Sequence, residues 1–157
     1  MKNTAPALLL LLSLGVPPGA GAAVALGEAS GTYTCSYKLF SSCSSGSATV
    51  KLLNGKLQQV SFESLFCATP AKPANRCSLE SARGGPDRWS ESGTAVRIEF
   101  THPKYPEMDD ALAVTVQGQA IVIDFGESQS LPRCDLGADL PEKLTLDPAD
   151  QNCRVEY

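Results

Sequence analysis

Residues 111–125, ALAVTVQGQAIVIDF, alternate apolar and other side chains on both sides of one glycine. Leu112, Val114 and Val116 fall on one face, and past the glycine Ile121, Ile123 and Phe125 do the same. An α-helix would repeat its apolar positions about every 3.6 residues, whereas a strand repeats them every second one. A period of two, rich in Val and Ile, predicts half-buried antiparallel strands. The segment therefore reads as a hairpin with a tight turn at Gln117-Gly118-Gln119, placed at the centre of a β core.

The same period recurs along the chain. Over residues 32–39, Tyr33, Cys35, Tyr37 and Leu39 share one side, and Thr32, Thr34, Ser36 and Lys38 share the other. Over residues 94–100, Thr94, Val96, Ile98 and Phe100 face in, while Arg97 and Glu99 face out. Residues 48–53 and 56–63 flank Asn54-Gly55, a strong hairpin signal because both turn positions require φ > 0. A two-residue turn sets Leu52 opposite Leu57 but Val50 opposite Gln59, so a β-bulge at Gln58-Gln59 is expected. Leu144–Leu146 reads as a short strand, and Cys153, Val155 and Tyr157 as a closing edge strand. Residues 64–93 look irregular. Arg83-Gly84-Gly85-Pro86 is a turn by composition, and residues 78–83 fit one helical turn. Residues 102–110, HPKYPEMDD, form a connection whose two prolines cannot donate to a ladder. The fold class is all-β: a single antiparallel β-sandwich or small β-barrel with disulfide-stapled loops.

The N-terminus carries Lys2, an unbroken leucine run from Leu8 to Leu12, then Pro17-Pro18-Gly19 and the small residues Ala20-Gly21-Ala22. That order predicts a secretory signal peptide over residues 1–22, leaving 23–157 as one disulfide-stabilised β-domain in a secreted or periplasmic setting. The apolar run is shorter than the roughly 20 residues that a spanning helix needs. All six cysteines follow the signal, and an even count in an exported chain reads as disulfides. Pairing of neighbours is expected: Cys35–Cys43, Cys67–Cys77 and Cys134–Cys153. The rival joins Cys35 to Cys153, if the first and last strands adjoin. Zinc is disfavoured, since no Cys-x-x-Cys occurs and His102 is the sole histidine. No cofactor or metal is expected.

Charge is uneven. Residues 23–104 hold nine basic and six acidic side chains, and residues 105–157 hold three and eleven. This acidity argues against nucleic acid as a partner, and an acidic face would steer a cationic one. Catalytic signatures are weak. His102 precedes Pro103 in a loop, and no Gly-x-Ser-x-Gly is present. Glu99 and Asp124 could meet on an outer sheet face as a carboxylate pair. Asp135, Asp139, Glu142, Asp147 and Asp150 offer oxygen ligands for calcium, but at no EF-hand spacing. Trp89 and Tyr105, with Arg83, Arg88 and Lys104 around them, are the candidate binding anchors, because Trp, Tyr and Arg dominate interface energetics. The expected function is a non-catalytic binding module that contacts another secreted protein, for instance as an inhibitor of a cationic extracellular enzyme such as a cell-wall hydrolase. The alternatives are a carboxylate-dependent hydrolase and a structural envelope-associated protein.

Overall fold

The computed structural model describes residues 29–38, 44–67, 75–101, 110–126, 134–135 and 140–157. The expected signal peptide lies outside them, as do Cys43, His102, Lys104, Tyr105 and Asp139. Among the described residues there are ten strands and no helix. Strands β1 (Gly31–Lys38), β2 (Ser45–Leu53), β3 (Lys56–Phe66) and β4 (Asn75–Ala82) form a four-stranded sheet in the order β1-β2-β3-β4. Strands β5 (Arg88–Ser92), β6 (Ala95–Glu99), β7 (Ala111–Gln117), β8 (Ala120–Asp124), β9 (Lys143–Leu146) and β10 (Arg154–Glu156) form a six-stranded sheet in the order β10-β9-β8-β7-β6-β5. Neighbouring strands within each sheet run antiparallel.

One core lies between the sheets, so the molecule is a sandwich rather than a closed barrel. Val50, Leu57, Val60, Phe62 and Leu79 come from the first sheet, and Ile98, Leu112, Val114, Ile121, Ile123 and Leu144 from the second. The rings of Phe62 and Phe125 meet across it with centroids 4.8 Å apart. The hairpin of residues 111–125 supplies β7 and β8, the two central strands of the larger sheet, with Val114 opposite Ile123 and Val116 opposite Ile121.

Asn54 and Gly55 adopt φ of 50° and 71°, the left-handed pair that an Asn-Gly hairpin turn needs. The bulge is present too. Leu52 pairs with Leu57 and Lys51 with Gln59, which leaves Gln58 as the extra residue. Its insertion keeps Leu57, Val60 and Phe62 all buried on the inner face.

The segment expected to be irregular is instead strand. β3 continues to Phe66, and β4 and β5 fill much of residues 75–92. The helical turn over residues 78–83 does not form. Cys77, Leu79 and Ser81 alternate inward along β4, and the small polar Ser81 masks the pattern in the sequence.

The expected neighbour pairing of cysteines is also corrected. Cys35 bonds to Cys153, and Cys77 to Cys134. Cys35–Cys43, Cys67–Cys77 and Cys134–Cys153 are therefore not formed. Cys67 is disulfide-bonded as well. The physical reason lies in the ladders. Lys38 already pairs with Ser45, and Phe66 with Asn75, so those local loops are closed by strand pairing. The bridges instead tie down segments that pair poorly by themselves. The segment around Asn152 lies along the outer edge of β1, where Ser36 N–H donates to Gln151 O and Cys153 N–H to Ser36 O, each at 2.9 Å. Asp135 lies along the edge of β4 and exchanges hydrogen bonds with the Arg76 backbone at 2.8 Å. Both edges of the smaller sheet are thus partly covered, which limits unwanted strand addition.

Candidate functional site

The alternation of β5 turns Trp89 inward and Arg88 outward. Trp89 sits over the open side of the sandwich between β4 and β5, and its Nε1–H donates to the buried Ser81 Oγ at 3.0 Å. The Arg83 guanidinium lies 5.3 Å from the Trp89 ring centre. Its Nε donates to Leu57 O at 3.1 Å, and its terminal nitrogen pairs with Glu91 at 2.5 Å. Arg83 and Trp89 therefore form one unit that closes this side of the core. Arg88 faces away from them and pairs with Glu99, which Arg97 also approaches at 3.3 Å. The hydrogen-bonded Arg88 guanidinium, reinforced by Arg97, holds the Glu99 carboxyl below the usual carboxylate range. Tyr105 and Lys104 lie outside the described residues. Of the five expected anchors, the structure brings together Arg83 and Trp89 and separates Arg88 from both.

Glu99 and Asp124 do share the outer face of the larger sheet. Glu99 pairs with Ala111 and Asp124 with Ala113, so β7 lies between them with a two-residue offset. Strand spacing and rise place their Cα atoms about 12 Å apart, and the carboxyls turn away from each other, Glu99 to Arg88 on β5 and Asp124 to Lys143 on β9. Their separation exceeds the roughly 5–10 Å that flanks a glycosidic bond. Asp124 is also engaged, accepting from Gly126 N–H at 2.8 Å and lying 3.8 Å from Lys143 Nζ.

Two of the acids considered for calcium, Asp147 and Asp150, shape turns. Asp147 accepts from Ala149 N–H at 3.0 Å, and Asp150 from Asn152 N–H at 2.9 Å. Among the described residues, no three His, Cys, Asp or Glu side chains gather in a metal-binding group.

The charge split of the sequence is only in part a split in space: it falls after residue 104, whereas the sheets divide after β4, so β5 and β6, with Arg88 and Arg97, belong to the larger sheet. The strands of the smaller sheet carry Lys38, Lys51, Lys56 and Arg76 against Glu63 and Glu80. Across the sandwich, the β8–β10 region carries Asp124, Glu142, Asp147, Asp150 and Glu156 against Lys143 and Arg154. Beside this acidic corner, between β1 and the turn after β9, lies a depression of about 460 Å³. Thr32, Thr34 and Ser36 line one wall, and Asp147, Asp150 and Gln151 the other. A lining that combines hydroxyl and carboxylate residues suits the ammonium or guanidinium head of a basic side chain. The acids were visible in the sequence. Their meeting with the hydroxyl row of β1 was not, since it depends on the first strand lying against the last two.

No family model, characterised protein or solved structure matches this chain. Among the described residues, no helix is long and apolar enough to cross a membrane. What the fold defines is a class: a disulfide-bonded all-β sandwich, of a kind that persists in oxidising compartments.

Proposed function

We propose that the protein is an exported, non-catalytic binding module that engages a cationic secreted protein through its acidic corner. The observation that carries the proposal is the depression lined by Asp147 and Asp150 together with Thr32, Thr34 and Ser36 of β1, within a region where acids outnumber bases. The corner is held by the Cys35–Cys153 bridge and by hydrogen bonds to Ser36, so it is organised before a partner arrives. Preorganisation lowers the entropic cost of association. Although Arg154 lies 3.9 Å from Asp147, acids exceed bases in this region, and that excess raises the encounter rate with a basic partner and discriminates against acidic ones. A secreted cell-wall hydrolase with a basic surface is one partner of this chemistry, and inhibition would follow if the corner covered its cleft.

The test is binding of the mature protein to a panel of basic and acidic secreted proteins, read by biolayer interferometry at low and high salt. Basic members should bind, and binding should weaken as the Debye length falls below about 10 Å. The double variant D147N/D150N should lose most of the signal. Binding that ignores both salt and the double substitution would sink the proposal.

A further inference from the structure

The outer face of the four-stranded sheet carries a second surface of different chemistry. The register aligns two rows of side chains across all four strands. One row is Ser36, Ser47, Glu63 and Ser78; the next is Lys38, Ser45, Leu65 and Arg76. Directly opposed residues of an antiparallel pair point to the same face, so all eight side chains project outward together. They line a trough of about 540 Å³, within the size range of small-ligand sites. Three inter-strand steps make it about 14 Å long. Its floor is made of short hydroxyl side chains with Glu63 and Leu65 among them, and a cation stands at each end: Lys38 on β1, and Arg76 on β4, whose backbone N–H donates to Asp135.

The charges of this trough are not spent internally. Among the described residues, Lys38, Glu63 and Arg76 enter no ion pair. In the larger sheet Arg88, Arg97, Glu99, Asp124, Lys143 and Arg154 all do. The trough also runs across the strands, so an extended peptide lying in it could not add to a ladder as an edge partner would. Backbone hydrogen bonds, the usual source of affinity for a peptide on a sheet, are therefore denied to it.

We propose that this trough binds a glycan in which acidic sugars are separated by neutral ones. Two carboxylates of the glycan pair with Lys38 and Arg76 at the ends. The neutral ring between them places its hydroxyls against Ser36, Ser47, Ser78 and the Glu63 carboxylate, which accepts hydrogen bonds and repels a third anion. Charge spacing, rather than total charge, is thus the basis of selection. This surface meets the acidic corner at Ser36, which lines both, but its charged groups are Lys38, Glu63 and Arg76 rather than Asp147 and Asp150, so the two readings are tested by different substitutions.

The experiment is amide NMR titration of the full mature chain with three oligosaccharides. One is a tetrasaccharide alternating glucuronate and N-acetylglucosamine, one is neutral chitotetraose, and one is a uniformly acidic oligogalacturonate. The alternating probe should shift the amides of Ser36, Ser47, Glu63 and Ser78 most strongly. K38Q/R76Q should weaken it roughly tenfold. E63Q should raise the response to oligogalacturonate. All three substituted side chains are exposed, so the variants should keep the wild-type fold. The proposal is overturned if the alternating probe moves no trough amide, if chitotetraose binds equally well, or if K38Q/R76Q binds as the wild type does.

Discussion

Deleting Gln58 should be tolerated, although it removes a residue from the middle of a paired strand. Without Gln58 the two-residue turn still pairs Leu52 with Leu57, and Lys51 with Gln59 directly after it. Leu57, Val60 and Phe62 keep their inward face, because the bulge residue is the one that breaks the period. The identified losses are the 2.8 Å bond from Arg83 N–H to Gln58 O and a local side-chain bond to Lys56 O. At about 0.5–1.5 kcal/mol per hydrogen bond, the cost is about 1–3 kcal/mol. Deleting Ser61, three residues on, has the opposite consequence. It shifts the period by one, so that either Leu57 and Val60 or Phe62 must turn to solvent. These side chains are at most 3% exposed. Turning out a large apolar side chain costs about 1.5–3 kcal/mol before any cavity is counted, so Ser61 deletion should cost at least about 3 kcal/mol in all. Equilibrium urea unfolding, followed by Trp89 fluorescence, measures both. A Gln58 deletion as damaging as the Ser61 deletion would refute the assignment of Gln58 as the period-breaking residue.

Three other perturbations test the scaffold. Replacing Cys35 and Cys153 with serine opens a link spanning 118 residues. Because Cys77–Cys134 shortens the path between its ends, chain entropy predicts a loss of about 4 kcal/mol, seen as a melting point lower by more than about 10 °C. A loss under about 1 kcal/mol would mean that the bridge closes nothing the ladders do not already hold. Gly46→Ala should cost about 1–3 kcal/mol in urea unfolding, because the new Cβ would lie inside the buried Tyr37 ring, and a neutral result would contradict that packing. The third concerns pH. Glu99 titrates below its ordinary value of 4.5, so its pairing with Arg88 and Arg97 stabilises the fold above that value and is lost as pH falls through the lowered one. Glu99→Gln should flatten that acid limb of the stability curve, and an unchanged limb would show that the pairing contributes nothing.

Much of the fold was legible because a period of two is a local property. The alternation in residues 111–125 was enough to specify β7 and β8 and their inner faces. Asn54-Gly55, read with the misplaced Gln59, was enough to locate both a turn and a bulge. β4 was missed for an equally local reason. Its third inward residue is Ser81, whose partner, the Trp89 indole, becomes visible only when β4 and β5 stack. Trp89 itself was legible as important, though the sequence left its role open between core plug and surface anchor.

The chain by itself determined the strand class, the inward faces, the main turns and the polarity of its two halves. Tertiary structure alone decided which cysteines meet, because disulfide partners are set by which strand edges adjoin in space and not by distance along the chain. It also decided that the acids of the turns around β9 and β10 gather beside the hydroxyl row of β1. Strands pair with sequence neighbours to form the two sheets, but only the burial of both inner faces against one another brings β1 beside β9 and β10. That contact builds the acidic corner.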